Sequence, residues 1–195
     1  MKNILHITSS PRGKQSYSNG LSTAIVEKLK APDTAIVERN LCLNTPPYIN
    51  PGFVDELYKN PIDYDQKSAL LLEYSDIIFH EVKNADIIVI GTPMHNMTVS
   101  APLKAWIDLL IRHGITYGYD NTGKRTGYLQ GKKVYLAVAS GSRLSDWPAG
   151  SEFIESYIKS VFGAYTGITD IRTFRVEGTV TPDFNADYNK ILETL

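Results

Sequence analysis

Ile4-Leu5-His6-Ile7-Thr8-Ser9-Ser10-Pro11-Arg12-Gly13-Lys14-Gln15-Ser16-Tyr17-Ser18-Asn19 runs from a short apolar segment through a hydroxyl-rich loop into a stretch with helical spacing. Ile4, Leu5 and Ile7 read as a buried strand, because a β-branched run this short fits a strand better than a helix. Leu21, Ile25 and Leu29 recur at intervals of four, with Ala24 and Val26 beside them, which is helix periodicity. Ser16 or Ser18 then serves as N-cap.

Strand end, hydroxyl loop and helix N-terminus together make an anion site. The first N–H groups of a helix lack internal partners, and the helix dipole adds partial positive charge there. No Asp or Glu occurs between Thr8 and Val26, while Arg12 and Lys14 lie in the loop. An ordinary serine-capped turn is the alternative. The chain lacks G-x-x-x-x-G-K-[ST] and has no G-x-G-x-x-G after this strand, so neither an NTPase loop nor a dinucleotide turn is expected. Hydroxyls and amides without a Mg²⁺ motif suit one terminal phosphate, with flavin mononucleotide (FMN) the leading candidate.

The 195 residues suit one domain, residues 1–195, which would bury about 70% of its unfolded surface. A formal net charge of −1 gives no electrostatic case for nucleic acid or an anionic membrane. No apolar run approaches the ~18 residues of a membrane span, and a strand begins at the N-terminus, so neither a span nor a signal peptide is expected. Cys42 is the only cysteine, which excludes an internal disulfide and fits a reducing compartment; between Leu41 and Leu43 it reads as packing.

Thr34 to Arg39 reads as a second strand. Residues 41–62 lose periodicity and carry Pro46, Pro47, Pro51 and Pro61, with Tyr48, Phe53, Leu57 and Tyr58 as apolar anchors: an ordered flap. Asp63 to Val82 is a predicted helix with Leu71, Ile78 and Val82 on one face and Leu70 and Ile77 beside them. Ile87 to Gly91 is apolar throughout, the pattern of a strand covered on both faces in a parallel sheet. The loop Thr92 to Val99 follows, then a helix capped at Ser100 and carrying Leu103, Trp106, Ile107, Leu110 and Ile111. Residues 115–130 read as a hairpin insertion, with aromatics and glycines from Tyr117 to Tyr128. Val134 to Ala139 is a further central strand, Glu152 to Phe162 a helix, Ile171 to Val176 an edge strand, and a short helix begins near Asn185.

Five strands alternating with five helices give a doubly wound α/β parallel sheet, for which the flavodoxin-like order 2-1-3-4-5 is the economical choice. That order gathers the loops after strands 1, 3 and 4 at the carboxyl edge, where such sheets bind ligands. All three are rich in Ser, Gly, Asn or Pro.

Nearly the whole chain resembles the FMN-dependent NAD(P)H:quinone oxidoreductases, also known as FMN-dependent azoreductases. The markers are Ser9-Ser10 with Ser16-Tyr17-Ser18-Asn19, Ala85-Asp86 to Gly91 with Pro93-Met94-His95-Asn96-Met97, and Gly131-Lys132-Lys133 with Ser140-Gly141-Ser142. The resemblance implies that Ser10, Ser16, Tyr17 and Ser18 hold the FMN phosphate. It implies that the Pro93-Met94-His95-Asn96-Met97 stretch wraps the isoalloxazine ring, and that Ala139, Ser140, Gly141 and Ser142 line its pyrimidine side. It further implies a cytoplasmic homodimer with active sites at the interface, NADH or NADPH as electron donor, and quinone or azo compounds as acceptors in ping-pong two-electron hydride transfer. Tyr119 or Phe162 of one subunit would then lie near the substrate on the flavin of the other.

Two departures stand out. The family commonly reads Pro-Met-Tyr-Asn-Phe where this chain has His95 and Met97, and Ser-Arg-Gly-Gly where it has Ala139 to Ser142, its nearest arginine being Arg143. His95 is a candidate proton donor to the acceptor, or a polar loop residue replacing a tyrosine for shape. His6, His80 and His113 lack ligand spacing, so no metal site is expected. The alternatives to a quinone reductase are a flavodoxin-like electron carrier, usually shorter and strongly acidic, and an NAD(P)H-dependent FMN reductase.

Overall fold

The computed structural model describes residues 2–195. Seven strands and six α-helices follow in the order β1 (Lys2–Thr8), α1 (Tyr17–Leu29), β2 (Thr34–Asn40), α2 (Pro51–Leu57), α3 (Gln66–Asn84), β3 (Ile87–Pro93), α4 (Ala101–Leu110), β4 (Tyr117–Tyr119), β5 (Arg125–Gly127), β6 (Lys133–Ala139), α5 (Ile154–Tyr165), β7 (Asp170–Val176) and α6 (Tyr188–Ile191). Five strands form one sheet in the order β2-β1-β3-β6-β7, every neighbour parallel. This is the predicted 2-1-3-4-5 order, with the antiparallel β4–β5 pair inserted before the fourth strand.

Side chains alternate across the sheet with period two. Leu5, Ile7, Ile88, Ile90, Leu136 and Val138 face the layer made by α2 to α5, where Leu72, Ile78, Leu103, Trp106, Ile158 and Phe162 complete one core. Ile4, Ile87, Val89, Tyr135 and Ala137 face the other layer, closed by Leu21, Ile25 and Val26 of α1 and by Leu192. No helix among the described residues is long and apolar enough to cross a membrane.

Two elements differ from the sequence reading. Helix α3 begins at Gln66, where Asp65 caps it: Asp65 Oδ1 accepts from the Ser68 amide at 2.8 Å, and Ser68 Oγ accepts from the Asp65 amide at 3.2 Å. Its buried face is Leu72, Ser75, Ile78 and Val82, whereas Leu70 is 71% and Ile77 46% exposed. The run Ala69-Leu70-Leu71-Leu72 fits any face, and the small polar Ser75 hides the true one. The flap contains helix α2, capped by Asn50 Oδ1 accepting from Phe53 N at 2.9 Å, with Pro51 at its first position. Phe53 anchors it in the core, but the expected anchors Tyr48 and Tyr58 are exposed. Buried Glu56 supplies the missing tie, accepting from Ser68 Oγ at 2.6 Å and pairing with Lys59 at 2.7 Å.

His6 of β1 is buried beneath α1. Its Nε2 lies 2.8 Å from Ser22 Oγ, and the Ser22 hydroxyl donates to the Asn19 carbonyl at 3.0 Å. With that proton committed, Nε2 carries its own hydrogen and bare Nδ1 faces Glu38 at 3.6 Å. Burial holds the imidazole pKa below its usual value, and the exposed Glu38 carboxylate offsets this only in part. Below the ordinary imidazole pKa of ~6.5 the unfolded chain therefore takes up a proton that the folded chain refuses, so stability falls with pH from there downward. Denaturant midpoints measured from pH 8 to pH 5 are expected to decline in this range, and His6→Gln is expected to flatten the decline; an equal slope in the variant would assign it to other groups.

Candidate active site

The loops after β1, β3 and β6 meet at the carboxyl edge of the sheet. The first is fastened to β3, since Ser9 donates to the Gly91 carbonyl through its amide at 3.0 Å and its hydroxyl at 3.1 Å. Gly13 turns the chain with φ +55°, and a short 3₁₀ turn leads to Ser16, the N-cap of α1. Ser16 Oγ accepts from the Asn19 amide at 3.3 Å and lies 3.1 Å from Ser18 Oγ. The amides of Tyr17 and Ser18 belong to the first turn, where a helix provides no acceptor. Ser10, Ser16 and Ser18 are buried, and the stretch that carries these hydroxyls and the first-turn amides has no carboxylate from Thr8 to Val26.

Tyr17 contributes its amide and not its hydroxyl. The phenol donates to the Phe184 carbonyl at 3.2 Å, and the two rings meet edge to face with centroids 5.2 Å apart. Tyr188 closes over the same turn; a Cβ on Gly20 would lie 2.4 Å from its hydroxyl. This C-terminal cover has no sequence signal, because partners 167 residues apart leave no periodicity.

In the second loop, Met94 N donates to the Ala139 carbonyl at 2.7 Å, joining it to the end of β6. His95 and Thr98 exchange amide–carbonyl bonds of 3.0 and 3.1 Å around Asn96 and Met97. The third loop spends its backbone on the C-terminal segment: Ser140 N donates to Val176 O at 2.9 Å, and the Ser140 and Gly141 carbonyls accept from Thr179 and Val180. Ser140 Oγ donates to Ser142 O at 2.7 Å. Arg143 lies over Gly178, so it does not stand in for the arginine absent at Ser140.

Two cavities flank the Asn96–Met97 turn. One of 300 Å³ is walled by Met94, Met97, Leu144, Trp147 and Pro148, with Glu152 as its charged member. The other, of 440 Å³, has His95, Asn96, Val99, Lys104 and Tyr157. Burial first, and the Asp108 carboxylate second, push the Tyr157 phenol up to about 12, so it stays a neutral donor across the working range. Lys104, Trp147 and Tyr157 line these cavities without a sequence signal for it, since they lie on elements whose own patterns look purely structural.

The structure separates the two expected substrate residues from these loops. Phe162 is fully buried on the core face of α5 and presents no surface to any ligand, which corrects its assignment. Its place in the helical stripe Ile154, Ile158, Phe162 is the reason. Tyr119 is exposed on the hairpin, packed with Tyr117 and His113, and opens on a separate 640 Å³ cavity that includes Leu57, Tyr58 and Arg112. No group of His, Cys, Asp and Glu among the described residues is suited to a metal ion.

A family described as having a flavodoxin-like fold matches residues 2–195. An FMN-dependent NADH:quinone oxidoreductase 2 of Rhizobium etli is 40% identical over 183 residues, 92% of this chain and 88% of that protein. The chain belongs to this flavodoxin-like oxidoreductase family. An FMN-dependent NADH:quinone oxidoreductase of Erythrobacter litoralis is 39% identical over 88% of this chain and 85% of its own. Among solved structures, the azoreductase of Bacillus anthracis superposes with a TM-score of 0.82 at 27% identity, covering 100% of this chain and 94% of that one.

The first loop fits the phosphate of the FMN expected from the sequence, since it carries serine hydroxyls, first-turn amides and the basic Arg12 and Lys14 with no carboxylate. Hydrogen bonds to a charged group contribute about 1.5–3 kcal/mol each. The double variant Ser16→Ala/Ser18→Ala is expected to bind FMN at least about tenfold more weakly by fluorescence titration. Unchanged affinity would mean that the amides alone hold the phosphate.

Proposed function

We propose that this protein is an FMN-dependent NADH:quinone oxidoreductase that also reduces azo compounds, working as a cytoplasmic homodimer. The observation that carries the reading is the convergence at one sheet edge of a carboxylate-free phosphate cradle, a turn that offers its backbone, and a largely apolar cavity. The strongly acidic composition usual in protein-to-protein electron carriers is not that of this chain, whose net charge is −1.

When bound, the flavin supplies the two-electron hydride chemistry, and the chain supplies placement. Ser10, Ser16 and Ser18 with the Tyr17 and Ser18 amides hold the phosphate. The turn from Met94 to Met97 meets one edge of the ring, and Ala139 to Ser142 the pyrimidine side. His95, exposed at the turn, and the neutral Tyr157 phenol are the proton-bearing groups beside that place. Donor and acceptor take the same position in turn, because a nicotinamide that only stacks on a flavin needs no dinucleotide-binding glycine turn. Double-reciprocal plots for NADH and a quinone are therefore expected to be parallel; intersecting lines would show both substrates bound at once.

The dimer has its material on the flap, α3 and the hairpin. Tyr58 is 88% and Ile62 85% exposed, Leu70, Tyr119 and Tyr128 are exposed as well, and large apolar side chains left in solvent together mark contact surfaces. A two-fold contact through this surface covers it and brings the Tyr119 side of one subunit toward the other's open site. Sedimentation at micromolar concentration is expected to report about twice the 21.7 kDa chain mass. A fully active monomer would confine the substrate site to one chain.

A further inference from the structure

The first turn of α1 is held only weakly by its own residues. Its cap bond, from the Asn19 amide to Ser16 Oγ, is 3.3 Å long, and the Asn19 side chain reaches back to the Gly13 carbonyl at 3.2 Å. An acidic residue in the first turn usually steadies a helix N-terminus through the dipole, and this helix has none there. A turn kept clear for an anion forgoes that help. Helix ends fray, and fraying here would scatter the Tyr17 and Ser18 amides that a phosphate needs.

The far end of the chain supplies the missing hold. Beyond β7 the backbone crosses the third loop, where the Thr179 and Val180 amides donate to the Ser140 and Gly141 carbonyls at 3.2 and 3.3 Å. It then reaches α1. The Tyr17 phenol donates to the Phe184 carbonyl at 3.2 Å, and the Tyr188 phenol donates to the Tyr17 carbonyl at 3.4 Å. The Phe184 ring packs on the Tyr17 ring, and the Tyr188 ring lies so close over Gly20 that a Cβ there would meet ring carbons at 2.9 and 3.0 Å. The segment has separate moorings: Leu192 is buried in the second core and its carbonyl accepts from Lys28 Nζ, while the Thr194 carbonyl accepts from Arg172 at 2.7 Å. Leu21, Ile25 and Val26 seat the rest of α1. Phe184 and Tyr188, both half-buried, thus press on the phosphate end of the helix without being what fixes the helix in the fold.

We propose that Phe184 and Tyr188 are positioning residues for the flavin phosphate: the C-terminal segment clamps the first turn of α1, so that its amides and the Ser16 and Ser18 hydroxyls stand ready before the cofactor arrives. This rests on the FMN reading of the first loop, while the clamp itself is independent of it. Both residues act through Tyr17 and Gly20 and not on the phosphate itself. Preorganisation of this kind raises affinity by removing an ordering cost from binding. It works on the phosphate end alone, so it favours FMN over riboflavin, which carries the same ring without the phosphate.

Titration of flavin-free protein with FMN and with riboflavin tests the assignment, the ratio of the two dissociation constants being the readout. In the double variant Phe184→Ala/Tyr188→Ala the preference for FMN is expected to fall about tenfold, with riboflavin affinity held within about twofold. Tyr188→Phe keeps the ring over Gly20 and loses only a long hydrogen bond, so it is expected to retain the preference within about twofold. Gly20→Ala displaces the Tyr188 ring from the other side and is expected to lower the preference, although alanine is the better helix former. Added to the double variant, where the ring is gone, it is expected to cause no further loss. Hydrogen exchange in flavin-free protein follows the Gly20 amide, which donates to the Ser16 carbonyl at 2.9 Å; its exchange is expected to quicken in the double variant while that of the Ile25 amide holds. A double variant that loses affinity for both flavins equally, or for neither, overturns the proposal, as does an unchanged Gly20 amide. If the parent protein shows no preference for FMN yet its Gly20 amide loosens in the variant, the clamp stands and the phosphate reading fails.

Discussion

The site depends on how closely the first turns of α1 approach the end of β3. A Cβ on Gly91 would lie 2.6 Å from Ser22 Oγ and 2.9 Å from the Ser18 carbonyl, so only a strand position without a side chain admits the helix at this height. The Gly91 carbonyl then receives both hydrogen bonds from Ser9. One residue thereby sets the seat of the helix and the path of the loop that feeds it. The proposed phosphate cradle depends on that seat, because Ser16, Ser18 and the first-turn amides keep their relation only while α1 sits hard against the sheet. Its reverse side is the buried His6–Ser22–Asn19 chain, which uses the polar groups that this contact takes from water.

The parallel sheet was legible because burial on both faces writes an unbroken apolar run, as at Ile87 to Ile90, and two short-range patterns alternating along a chain admit few topologies. Helix faces were less legible. On α3 a four-residue apolar run made several faces equivalent, and the face was decided by Ser75 and by packing on α4. The flap hid a helix because seven residues span barely two turns, too few for periodicity, and its cap Asn50-Pro51 reads equally well as a loop. Its buried anchor, Glu56, is a charged residue that no hydrophobic pattern can reveal.

Within the candidate site, the hydroxyl-rich loop stands out in the sequence because Ser9, Ser10, Ser16 and Ser18 lie close together along the chain. Asn96 and Met97 drew notice from the resemblance, but their left-handed backbone became visible only in three dimensions, since Met at such a position contradicts its own conformational preference. Phe162 shows the opposite error: an aromatic residue in a helical stripe belongs to the core unless something removes it. Phe184 and Tyr188 were out of reach, as their contacts with Tyr17 and Gly20 join opposite ends of the chain.

The departures from the family's motifs fall where the backbone does the holding. The turn at 95–98 is closed by main-chain bonds, and the loop at 139–142 gives its amides and carbonyls chiefly to residues 176–180. Side chains there are free to change without moving the chain, and His95, Met97 and Ser140 are among those that have changed. The first loop has no such freedom. Its Ser9 hydroxyl bonds Gly91, its Ser16 hydroxyl caps α1, and Ser18 is packed beside it, so each side chain is itself the fastening. On the proposed function the same division would separate affinity from selectivity: the fastened serines would hold the phosphate, while the replaceable turn side chains border the two cavities beside the turn.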